Sequence, residues 1–207
     1  MDRLTLSEEE IDAFSEQRWL LDQNIEFWLE HVVHDLFESD GVSFLSPSAV
    51  QMAHLFGPGS SDLAEAIFNV REELAAPLVL LPVNDNESDA AGGSHWSLLV
   101  FHRPSASFRH LDSMGGSNTA TARRIAAALA PLVGAPDAGF EEEQDVPQQS
   151  NGFDCGVHVM VMAEIVARHC KDALGPWTRV PCSAWAALSP DAVRATRVEA
   201  ARLARAA

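Results

Sequence analysis

The chain has 207 residues, 47% of them apolar and 21% charged, with 14 basic against 30 acidic side chains. This is the composition of one globular domain rather than of a disordered chain, and the acidity argues against a partner with a phosphate backbone. No apolar run approaches the roughly 18 residues of a membrane helix, and MDRLTLSEEE lacks the basic-then-apolar order of a secretory leader.

In chain order, Ser7 with Glu10 forms a capping-box pattern that opens a short helix. Ile25, Trp28, Val32 and Leu36 recur at helical spacing, which predicts a helix over 24–37 with His31 and His34 turned outward. Ser46 and Pro47 suit the cap and first turn of a helix running through Leu55. After the turn-rich GPGSSD, Asp62 with Glu65 starts another short helix. The runs Leu78 to Val83, Trp96 to His102 and Ser107 to Leu111 then read as strands. Between the first two lies NDNESDAAGGS, residues 84–94. It is longer than the roughly 4–6 residues of an ordinary connection, a length usual for functional or mobile loops.

Alanine-rich 118–133 reads as a helix with Ile125, Leu129 and Leu132 on one face, and 139–144 as a further strand. Residues 155–169 are apolar almost throughout, and their length decides for a buried helix over a strand. Ser189 and Pro190 open a last helix whose arginines lie toward its end, as the helix dipole favours. The expected class is α+β, a central mixed sheet flanked by helices.

Cysteines stand at 155, 170 and 182, an odd number with no CxxC spacing. That argues against a disulfide framework or a structural zinc site and makes a reducing compartment, cytosol or nucleus, the expectation. Cys155 alone follows a turn-rich stretch, QQSNGFD, and begins the buried helix. Unpaired N–H groups and positive partial charge at a helix start stabilise a thiolate. A small buried hydrophobe is the plainer role for such a cysteine. A nucleophile also needs a base, an orienter and oxyanion donors. His95 stands where the long loop meets a strand. Asp112 closes the next strand, so the two side chains can meet. Asp112 alone reads as a turn residue, and Gln149, six residues before Cys155, carries little meaning alone.

Together, His95-Trp96, Asp112, Gln149 and Asp154-Cys155-Gly156 resemble, in order, the ubiquitin-like-protein proteases, the sentrin-specific cysteine proteases of the adenain-like clan. The likeness is greatest to the short deneddylase branch. It is carried by RWLLDQNIEFWLEH, GVSFLSPSAVQ, VNDNESDAAGGSHWSLLVF, LDSMGGSN and PQQSNGFDCGVHVM, and runs from about residue 15 to 170. The resemblance implies one papain-like, adenain-like catalytic domain over 1–207, with the active site between helical and sheet parts. It implies His95 as base, Asp112 as orienter, Cys155 as nucleophile and Gln149 as oxyanion donor, with no metal or organic cofactor.

The resemblance further implies a tunnel for a C-terminal Gly-Gly, roofed by Trp19 and Trp96. Only glycine lacks a Cβ, so a tight tunnel selects it by exclusion. Without the family, Trp19 reads as a core anchor. Asp22 matches a modifier-contacting position, although Leu21 stands where the branch usually has asparagine. Gly92 and Gly93 fit hinges of a loop that closes over the modifier. The implied partners are the neddylation modifier and its conjugates such as cullins, acted on by a monomer. A SUMO-type modifier, transfer of an acetyl group, and non-catalytic binding of a ubiquitin-like protein are the competing readings. The acidic side chains concentrate in residues 1–154, 26 of them against 7 basic ones, which suits a basic partner or simple solubility.

Overall fold

A computed structural model describes residues 3–15, 17–37, 41–90, 92–170 and 177–207. Position 91 of the long loop lies outside them. The helices are α1 (Glu8–Asp12), α2 (Asp22–Trp28), α3 (Asp35–Phe37), α4 (Pro47–Phe56), α5 (Ser61–Ala66), α6 (Arg71–Leu74), α7 (Thr119–Leu129), α8 (Cys155–Cys170) and α9 (Pro190–Ala204). The strands are β1 (Val42–Phe44), β2 (Leu78–Asn84), β3 (Trp96–His102), β4 (Ser107–Leu111) and β5 (Gly139–Glu142). They form one mixed sheet in the order β1-β2-β3-β4-β5. The pairs β2/β3 and β3/β4 are antiparallel, and the outer pairs are parallel.

Both faces of the sheet are covered, so its central strands are apolar on both sides rather than alternating with polar residues. Leu80, Leu98 and Val100 face a core shared with α2, α8 and α9. Val79, Leu81, Leu99 and Phe101 face a second core with α4 and α7. Helix α8 lies inside the first core and is buried nearly all round, as its uninterrupted apolar sequence requires.

The expected caps form. Ser7 and Glu10 close a reciprocal capping box, and Ser46 and Ser189 accept the N–H groups of Ala49 and Ala192. Other expectations change. The helix predicted over 24–37 widens into a π-type turn across Leu29–His34. Its core face takes in Ile25, Phe27, Trp28, Leu29, Val33 and Phe37, with the expected Trp28 among them, while Leu36 is exposed. His31 is half-buried instead of outward: it stacks on Phe27 and its Nε2 lies 2.9 Å from the Leu4 carbonyl. Helix α7 ends at Leu129, short of the expected Val133, two residues before Pro131.

Candidate active site

The register Leu98↔Leu111 brings the start of β3 beside the end of β4. His95 directly precedes β3 and Asp112 directly follows β4, so sheet geometry alone makes them neighbours. His95 Nε2 lies 2.7 Å from Asp112 Oδ1, and both side chains are buried. The Asp112 carboxylate also accepts the N–H of Met114 at 2.8 Å and of Asn118 at 3.0 Å. Burial works to raise the Asp112 pKa, but these hydrogen bonds and the charge of His95 hold it below the usual carboxylate value.

Helix α8 carries Cys155 at its first turn, and the thiol interacts with the His95 ring. Nε2 is committed to Asp112, and Nδ1 makes no hydrogen bond of good geometry, so its interaction with the Cys155 thiol is a looser one. Nδ1 is thus the nitrogen left to exchange a proton with sulfur. Burial pulls the His95 pKa down, yet hydrogen bonds and negative charge at Asp112 and Cys155 outweigh it and push it up to about 9. The ring is protonated at neutral pH, which suits a sulfur nucleophile that must lose its proton.

The loop 84–94 is tied at its base. Asp85 accepts the Ser94 N–H at 2.5 Å, the Ser94 hydroxyl at 2.6 Å and the His95 N–H at 3.0 Å. This clasp fixes the backbone of His95, and nothing in its sequence marks it. Asn118 is the other residue missed by sequence. Its buried side chain donates to the His95 carbonyl at 3.2 Å and to Ser97 Oγ at 3.1 Å. Ser97 Oγ meets His110 Nε2 at 2.9 Å, and His110 Nδ1 meets Glu142 at 2.9 Å. One polar chain therefore backs both His95 and Asp112.

His95 and Cys155 open into a cleft of about 970 Å³ that is also lined by Trp19, Asp22, Gly92, Gly93 and Trp96. Trp19 is 52% exposed, so it is not a core anchor. Trp96 is buried and donates its indole N–H to the Leu20 carbonyl at 3.1 Å, tying the β3 start to the segment that carries Trp19. Gly156 permits that close approach, since a Cβ there would stand 2.9 Å from Leu20 Cβ. Gly93 holds a φ of +89°, in the region that favours glycine.

Gln149 is not in the lining of this cleft; it lines a second cavity together with His158 and Arg197. Its carboxamide oxygen accepts from the Ser113 hydroxyl at 2.7 Å, and Nε2 donates to the Asn151 carbonyl at 2.6 Å. One of the two amide hydrogens is thereby committed. His158, one turn beyond Cys155, is buried, and burial depresses its pKa to about 4. Among the described residues no group of three or more His, Cys, Asp and Glu side chains gathers as a metal site.

A buried imidazolium between a carboxylate and a helix-start cysteine, on a helix-covered mixed sheet, defines a cysteine-type peptidase. The description "Ulp1 protease family, C-terminal catalytic domain" matches residues 18–173, and the chain belongs to that family. It is 34% identical to NEDD8-specific protease 1 of Arabidopsis thaliana over 168 residues, 79% of this chain and 72% of the relative. It is 36% identical to sentrin-specific protease 8 of Homo sapiens over 176 residues, 82% and 80% of the two chains. Its fold matches that of SUMO protease Ulp1 with the catalytic cysteine oxidised to a sulfinic acid, with a TM-score of 0.68 at 17% identity, covering 97% of this chain and 84% of that one.

Proposed function

We propose that this peptidase is a deneddylase, cutting after the C-terminal Gly-Gly of the neddylation modifier. The observation that carries the chemistry is the His95 ring held between Asp112 and Cys155 at the cleft. The choice of modifier is supported by relatives named NEDD8-specific in Arabidopsis thaliana and Schizosaccharomyces pombe.

In this reading the Cys155 sulfur attacks the carbonyl carbon of the terminal glycine and its proton resides on His95. The carbonyl oxygen becomes an oxyanion held by backbone N–H groups at the start of α8 and by the second amide hydrogen of Gln149. Collapse breaks the C–N bond, and His95 hands its proton to the departing amine. His95 then takes a proton from water, which attacks the thioester and releases the modifier. Asp112 keeps the ring oriented and its charge balanced.

Trp19 and Trp96 bound the Gly-Gly tunnel, Asp22 meets the modifier at its mouth, and the loop with Gly92 and Gly93 closes over it. The leaving group is a lysine ε-amine of a conjugate such as a cullin, or the tail of a precursor. The enzyme acts as a monomer, one catalytic domain over 1–207, in the cytosol or nucleus, where its free cysteines stay reduced.

The test is a modifier ending in an electrophile. A covalent adduct mapped to Cys155 and lost in Cys155→Ser is expected. An adduct elsewhere rejects the nucleophile. In parallel, reporter fusions of the neddylation modifier and of SUMO decide specificity: faster SUMO cleavage replaces the deneddylase reading.

A further inference from the structure

Arg197 lies in α9, beyond the stretch 18–173 that matches the family, and only 3% of it is exposed. Five acceptors surround its guanidinium. Nε donates to Asp154 Oδ1 at 2.8 Å. Nη2 donates to the carbonyls of Arg18 at 2.9 Å and Phe153 at 3.0 Å. Nη1 reaches the carbonyls of Ala13 at 3.3 Å and Ser15 at 3.4 Å. Arg18 adjoins Trp19, and Phe153 and Asp154 lead directly into Cys155. One side chain thus holds the roof of the cleft and the loop of the nucleophile together.

The contacts continue inward. Asp154 accepts from Asn151 Nδ2 at 2.7 Å on its other oxygen, and the Asn151 carbonyl holds the Gln149 amide at 2.6 Å. Residues 148–151, 153 and 154 line a cavity of about 320 Å³ together with Leu188, Pro190, Val193 and Arg197 itself. A loop that borders a cavity takes part of its position from polar ties. A buried ion pair adds little net stability over an apolar pair, because desolvation offsets the attraction. What it does supply is a fixed geometry, and the planar fork of arginine satisfies several acceptors at once.

We infer that Arg197 is a positioning residue: through Asp154 and Asn151 it sets the Gln149 carboxamide, and through Arg18 it sets the Trp19 roof. This rests on the peptidase reading above. Steady-state cleavage of the modifier fusion, corrected for folded fraction, should show Arg197→Met lowering kcat by about tenfold to 100-fold and raising KM. Arg197→Lys retains the charge facing Asp154 but not the fork to the Arg18 and Phe153 carbonyls, so it should recover kcat more than KM. A purely structural role would lower stability and leave both constants of the folded fraction alone.

The second readout is the side-chain amide NMR resonance of Gln149, which needs no substrate. It should shift toward that of a free glutamine in Arg197→Met, or in Arg197→Lys if the first variant does not fold. Kinetic constants within about twofold of the parent, or an unmoved amide resonance, overturn the proposal. A parent enzyme inert on both modifier fusions sinks the substrate reading alone, and the amide resonance then decides the role of Arg197.

Discussion

His95 Nε2 faces Asp112 Oδ1 at 2.7 Å, with both side chains shut away from water. A carboxylate in that position keeps the proton on Nε2 and leaves Nδ1 to work on sulfur. Asp112→Asn keeps the shape but removes the charge that holds His95 protonated. The expected loss in kcat on the modifier fusion is roughly 100- to 10,000-fold, as for other histidine-orienting carboxylates. A loss below tenfold would mean that Asp112 merely braces the turn at 113–116.

The same pair links stability to pH. The folded-state pKa of His95 is raised from 6.5 to about 9, with Asp112 and Cys155 overcoming the effect of burial. The folded chain therefore keeps a proton that the unfolded chain releases near 6.5. That stabilisation is fully present below about pH 6.5 and disappears as pH rises through about 9. Asp112 behaves oppositely. Burial would raise it, but its hydrogen bonds hold it below 3.8, so its contribution is present above about pH 3.8 and is lost as pH falls through the depressed value. Urea unfolding between about pH 7 and 10 should show the parent losing more stability than His95→Gln. Parallel curves for the two would reject the linkage.

Asn118 donates its backbone N–H to Asp112 and its side chain to the His95 carbonyl and Ser97. Asn118→Ala keeps the first bond and removes the others, leaving the buried His95 carbonyl without that donor. A loss of about 1–3 kcal/mol in stability is expected. Because the His95 backbone is then freer, kcat should also fall several-fold when corrected for folded protein. Stability loss with an unchanged kcat would confine Asn118 to the fold.

His95, Asp112 and Cys155 were legible because each stands at the end of a strand or helix that the apolar pattern already defines. The resemblance to the ubiquitin-like-protein proteases then implies that the three meet in space. The partners of those residues were not legible. Asn118 reads as the start of a helix, Asp85 as part of a polar loop, and Arg197 as a cation placed for the helix dipole. Each acquires its role only from hydrogen-bond partners that the fold brings to it, such as the Ser94 and His95 N–H groups for Asp85 and the Arg18 carbonyl for Arg197. The shifted face of 24–37 has a local cause. The π-type turn at Leu29–His34 changes the angular step, so a pattern counted at 3.6 residues per turn selects Leu36 where the core takes Leu29, Val33 and Phe37.

Gly156 shows what a neighbour of the nucleophile is for. A methyl group there would improve helix propensity by about 1 kcal/mol. It would also stand 2.9 Å from Leu20 Cβ, the residue whose carbonyl binds Trp96. Gly156→Ala should therefore push the Trp19 segment away from α8 and raise KM more than it lowers kcat. A variant that is more stable and kinetically unchanged would show that Leu20 yields without disturbing the roof.

The lining of the cleft is acidic: Glu9, Glu10, Asp22 and Asp89 contribute to it, and 26 of the 30 acidic residues precede Cys155. Under the proposed function, such an acidic lining would attract a modifier with a basic tail through water, where salt screens the attraction within about 10 Å at 0.1 M. Stopped-flow association of the neddylation modifier with Cys155→Ser should slow by about tenfold or more between low and high salt, with dissociation little changed. Neutralising Asp22 and Asp89 together should flatten that dependence, because the loss of two charges in the lining weakens the field where the tail enters. Association rates that ignore salt in the parent would return the acidity to a role in solubility.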